Sequence, residues 1–154
     1  MQFVDKKTQY CFLLTIILAF TLGLFGCTSV KLIADYDEKV DQEVTALHRK
    51  METFFVRLAD IAGTPAGNYE NHKEFYEQVK VDISALELRV AVQPKNEITL
   101  KQIKLLRDSV DKLEQIHKVG INSPEVVQPI RESFKTAFTA ILKLEMAKKR
   151  GESI

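Results

Sequence analysis

Residues 30–61 read VKLIADYDEKVDQEVTALHRKMETFFVRLADI. Val30, Ile33, Val40, Val44, Leu47, Met51, Phe54, Leu58 and Ile61 recur in alternating steps of three and four, with Asp37 the only polar residue on that seam. Such steps place side chains on one helical face, whereas a half-buried strand alternates by two. The stretch holds neither Gly nor Pro. It predicts a helix of about 48 Å at 1.5 Å per residue, longer than those that follow.

Downstream, Gly and Pro fall in tight groups at residues 63–67, 94–96 and 120–124, and the runs between them keep the same spacing. Tyr69, His72, Tyr76, Val79, Ile83, Leu86 and Val90 mark a second helix over roughly 68–91, about 36 Å long. Ile103, Leu106, Val110 and Leu113 mark a third, and Ile130, Phe134, Ala137, Ile141 and Leu144 a fourth. Asn68 and Asn96 suit N-caps, Gly120 a stop, and Ser123-Pro124-Glu125 a helix start. Pro129 either kinks the last helix or moves its start to about Gln128. Phe55, Phe75, Leu88, Leu105, Ile116, Phe138 and Leu142 widen the stripes beyond a two-stranded seam. The expected fold is all-α: an antiparallel up-down-up-down four-helix bundle with a longer first helix.

Upstream of this region, Lys6 and Lys7 precede an uncharged apolar run that ends in Leu24-Phe25-Gly26-Cys27. A basic start, a greasy core and a small residue before a cysteine resemble the signal segment of bacterial lipoprotein precursors. The resemblance covers residues 1–28. It implies cleavage after Gly26 and lipidation of Cys27, with membrane lipid held through the acylated cysteine. Thr28 stands where that family uses Asp to retain proteins at the inner membrane, so the periplasmic face of the outer membrane is favoured in a Gram-negative cell. An uncleaved alternative stays open, because residues 8–30 carry no charge and about 20 apolar residues span a bilayer. Both readings send the remainder across the membrane. The expected layout is a signal over 1–26, an acylated cysteine with a short membrane-proximal stalk over 27–38, and the bundle over 39–150.

Without Lys6, Lys7 and Asp5, the 22 basic and 21 acidic residues become 20 of each, so the charge balance carries no nucleic-acid footprint. Cys27 is the only cysteine beyond the signal, which excludes an internal disulfide and thiol catalysis. No phosphate loop, nucleophile elbow, zinc-protease or haem-attachment motif occurs, and neither an enzyme nor a cofactor is expected. Glu114-Gln115-Ile116-His117 has the E-x-x-H spacing of di-metal bundles, but those need a second copy of the motif. Glu114 and His117 are therefore weak metal candidates. Asp35, Tyr36 and Asp37 form a candidate partner patch on the stalk, where Asp37 is tolerated if no other helix reaches it. Lys148-Lys149-Arg150 suits either a helix C-terminus or lipid headgroups.

The expected function is a membrane-anchored envelope lipoprotein whose bundle acts as a protein-binding or structural accessory factor, with an envelope protein as partner. The alternatives are a small-ligand or metal-binding bundle, and an exclusion, immunity or membrane-active lysis-type protein.

Overall fold

The computed structural model describes residues 33–151. The signal segment, Gly26, Cys27 and the stalk residues up to 32 lie outside them. Among the described residues four α-helices form: α1 (Glu38–Ile61), α2 (Lys73–Ala91), α3 (Glu97–Val119) and α4 (Pro124–Arg150). Among the described residues there is no strand, and no helix is long and apolar enough to cross a membrane.

The helices close into a ring in which α1 packs on α2 and α4, and α3 on α2 and α4. Val40, Val44, Leu47, Met51, Phe54 and Leu58 of the opening stretch are all buried in the core. They meet Tyr76, Val79, Ile83, Leu86 and Val90 of α2 and the corresponding stripes of α3 and α4. Each buried Val, Leu, Ile or Phe contributes about 1.5–3 kcal/mol of transfer free energy. With no disulfide in the described bundle, this packing is the main source of stability. One end of the ring gathers the start of α1, the α2–α3 corner and the end of α4. The other gathers the α1–α2 and α3–α4 connections, joined where the Gly63 N–H donates to the Ile121 carbonyl at 3.2 Å.

The first helix differs from its expectation. It starts at Glu38 and has 24 residues, whereas α4 has 27 and is the longest among the described residues. Asp37 is the cause. Its backbone is extended, at φ −119° and ψ 107°, and its carboxylate accepts from the Lys39 N–H. An extended cap residue that satisfies an orphan donor begins a helix and cannot lie inside one. Residues 33–37 therefore form no helical stalk. Ile33 and Ala34 are buried, and the Ala34 N–H donates to the Lys95 carbonyl at the α2–α3 corner, so this short strap lies on the bundle.

Local capping departs from the sequence reading elsewhere. A 3₁₀ turn, Pro65–Gly67, lies in the connection, a second one, Tyr69–His72, occupies what the spacing assigned to the start of the second helix, and Asn68 makes no side-chain cap. The Asn96 and Ser123 side chains do not cap α3 or α4 either. Pro124 does sit in the first turn of α4, and the helix continues through Pro129.

Candidate functional site

Asp37 sits where the chain enters the bundle, and α2 and the corner after it supply its side-chain partners. Arg89 donates twice to it, Nε to Oδ2 at 2.8 Å and Nη2 to Oδ1 at 2.9 Å, and Gln93 Nε2 donates to Oδ2 at 2.6 Å. The Arg89 hydrogen bonds hold its carboxyl below the usual carboxylate range, against the opposing effect of burial. Asp37 is thus reached by a partner helix, contrary to the reading that left it free on a stalk. Tyr36 donates to Asp41 Oδ2 at 2.9 Å, and Lys149 Nζ stands 5.1 Å from its ring centroid. The hydrogen bond to Asp41 pushes the Tyr36 hydroxyl up to about 12. Asp35 is exposed. The three residues line a groove of about 480 Å³, but Asp37 and Tyr36 use their polar atoms to hold the strap.

Glu114 and His117 lie on one face of α3, as their spacing requires, yet their contacts separate them. Glu114 accepts from Tyr69 Oη and Lys80 Nζ, both at 2.6 Å, and pairs with Lys118 at 3.0 Å. Burial opposes its ionisation, but these three donors prevail and bring the carboxyl down to about 2. His117 is buried. Its Nε2 lies 2.8 Å from the Gly67 carbonyl and its Nδ1 2.9 Å from Tyr76 Oη. A carbonyl only accepts, so Nε2 carries the proton and Nδ1 accepts from the tyrosine. Burial lowers the His117 pKa, which favours this neutral form. Both nitrogens and the carboxylate are committed to protein partners. Among the described residues no group of three or more His, Cys, Asp or Glu is placed to hold a metal.

Around His117 the rings form a packed cluster. Phe54 and Phe75 stack at 3.9 Å, and His72 lies 5.4 Å from His117 with its Nε2 3.1 Å from the Ala66 carbonyl. Beside the cluster, an open cleft of about 890 Å³ runs between the two loop connections. Tyr69, Lys73 and Lys118 face it, but Lys73 pairs with Glu70 and Lys118 with Glu114. The cleft is polar and charge-matched.

A buried ionic network escaped the sequence reading. Lys148 is 7% exposed, and its Nζ donates to Asn96 Oδ1, Thr99 Oγ1 and Glu145 Oε1 at 2.6, 2.7 and 2.5 Å. Thr99 Oγ1 donates in turn to Glu145 Oε1 at 3.1 Å. Lys148 is therefore neither a solvated end charge nor a headgroup contact. A signal was present: Glu145 and Lys148 stand four residues beyond Ile141 and Leu144, on the same apolar stripe.

The outer face of α2 has the opposite character. Leu88 was expected to widen the core stripe, but it is 69% exposed, as Leu105 and Ile116 of α3 are also exposed. Val81 and Val92 share its side of the helix, at 67% and 73% exposure, with exposed Ser84 and Ala85 between. Spacing of four, seven and eleven residues from Val81 puts Ala85, Leu88 and Val92 on one face, away from Tyr76, Ile83 and Leu86. The helix is apolar on two sides.

No family model, no curated protein and no solved structure matches this chain.

Proposed function

We propose that this chain is a lipid-anchored bacterial envelope protein whose helical bundle binds another protein. The observation that carries the reading is the outward apolar face of α2. Scattered surface apolar residues need no explanation, but an aligned set on an ordered helix is a feature of interaction sites. The buried titratable groups described above serve structural pairs, which supports a binding role over a catalytic one. Attachment through acylated Cys27, on the periplasmic face of the outer membrane in a Gram-negative cell, rests on the lipoprotein-like residues Leu24 to Cys27. Five residues lie between Cys27 and Ile33, six steps that span at most about 21 Å when extended, so the strap end of the bundle stays close to the membrane.

Two measurements test the reading. A photo-crosslinking amino acid at position 85 of the full chain, in living cells, is expected to give a discrete adduct with a protein. Absence of any protein adduct removes the binding role. Separately, Cys27→Ser is expected to abolish acyl labelling and leave the precursor unprocessed. A labelled or normally matured C27S chain overturns the lipid anchor.

A further inference from the structure

We infer that the outward face of α4, with the flank of α3 beside it, rests on an anionic lipid surface. The inference deepens the membrane attachment proposed above and rests on it. From Ser133 to Arg150 the only acid on α4 is Glu145, which is buried against Lys148. Lys135 pairs back to Glu132 at 3.5 Å. The exposed cations beyond it, Lys143, Lys149 and Arg150, thus form a strip of one sign with no exposed carboxylate among them on the helix. Steps of three and seven residues from Lys143 set Met146 and Arg150 on the same outward side. These three, with Thr139 and half-buried Leu142, line a shallow groove of about 540 Å³.

The neighbouring helix adds apolar surface. On α3, Arg107 pairs with Glu87 of α2, while Thr99 meets Glu145 of α4. Exposed Ile98 and Leu105, two turns apart, lie opposite Arg107, on the flank that borders α4. Glu97 and Asp108 lie farther round the helix. Apolar side chains beside unopposed cations suit an interfacial surface: the apolar part enters the headgroup layer, and the cations meet lipid phosphate. The strap brings this face to the membrane end. Lys149 stands over the Tyr36 ring, and the Lys95 carbonyl, three residues before Ile98, holds the Ala34 N–H. The chain that leads back to Cys27 therefore leaves the bundle beside the basic strip. An acidic protein matches the same charge, but a link of at most about 21 Å keeps the strip within reach of lipid. The ring sets α2 across from α4. A bundle lying on α4 turns the apolar face of α2 away from the membrane, where a protein partner can reach it.

Photo-crosslinking of the full chain reconstituted into lipid vesicles tests the docking. Only chain that floats with the vesicles is scored, so the readout is separate from acylation of Cys27. A photo-crosslinking amino acid at position 146 is expected to give a lipid adduct in vesicles of phosphatidylcholine with phosphatidylglycerol, and little in phosphatidylcholine alone. The same amino acid at position 85, on α2, is expected to give no lipid adduct in either. Lys143→Glu with Arg150→Glu is expected to reduce the position-146 adduct about tenfold, with an unchanged helical spectrum. No lipid adduct at 146, equal yields at 146 and 85, or a yield indifferent to phosphatidylglycerol and to K143E/R150E overturns the docking. In living cells, a protein adduct at position 146 in place of lipid overturns it as well. Each of these failures is distinct from a failed Cys27→Ser test, which removes the acyl anchor and leaves the vesicle yields as they are.

Discussion

Asp37 and Arg89 meet through two parallel N–H···O bonds of 2.8 and 2.9 Å, although 52 residues separate them in sequence. The same carboxylate caps α1, so one side chain both starts a helix and ties that start to α2.

Asp37→Ala is expected to lower stability by about 1 kcal/mol through the cap alone. Asp37→Asn retains an acceptor for the Lys39 N–H and loses the ion pair, so it is expected to cost less. Urea melts of the two variants measure the difference. An alanine variant as stable as the parent shows that the cap contributes nothing.

Acid sensitivity follows from three shifted groups. Glu114 titrates near 2 in the fold against an ordinary 4.5, and Asp37 is also lowered. A depressed carboxylate stabilises the fold above its unfolded pKa, and that contribution disappears as pH falls toward the folded value. His117 is likewise lowered from 6.5, so the unfolded chain takes up its proton first. Its contribution is full above about 6.5 and is lost as pH falls below that. Stability is expected to be flat from about pH 7 to 9, to decline gently below 6.5 and to fall steeply from 4.5 to 2. Glu114→Gln is expected to flatten the steep part. Urea midpoints across pH check the profile, and a profile unaffected by E114Q contradicts the assignment.

Glu145 and Lys148 form a buried pair, and removing one partner strands the other. Lys148→Met alone is expected to cost about 3–5 kcal/mol, while the double change with Glu145→Leu costs much less. A double-mutant cycle by thermal melting reads the coupling. Additive losses mean that the two charges do not act together.

His117 is held as its Nε2–H tautomer by Gly67 and Tyr76. Nitrogen chemical shifts at neutral pH are expected to show a protonated Nε2 and a bare Nδ1. Tyr76→Phe leaves the buried Nδ1 without a donor and is expected to cost about 1–3 kcal/mol. An Nδ1–H signal excludes the assignment.

Gly63 has φ +77°, and a Cβ there meets the Asn122 carbonyl oxygen at 2.5 Å. Gly63→Ala is expected to destabilise by about 1–2 kcal/mol from the left-handed backbone alone, with the clash adding to it. Exposed Gly151, also left-handed at φ +70° but with nothing within 4 Å, is the control. Equal losses at both positions count against the clash.

The spacing of Val40, Val44, Leu47, Met51, Phe54 and Leu58 was enough by itself to define a core-facing helix. The same steps at Tyr76–Val90, Ile103–Leu113 and Phe134–Leu144, between glycine and proline groups, were enough for three more. A helix's buried face depends on neighbours three and four residues away, so it is written locally. The Glu145–Lys148 burial was half-legible, because both sit on a stripe that the local pattern already marked. Tertiary structure alone decided where α1 begins, since Asp37 becomes a clamped cap only when Arg89 arrives from α2. It also decided that His117 is consumed as a neutral hydrogen-bonding bridge, through Gly67 and Tyr76 on other elements. Finally, it left Val81, Leu88 and Val92 outside. A helix that is apolar on two sides has one core to fill, and which side faces it depends on where the other three helices pack.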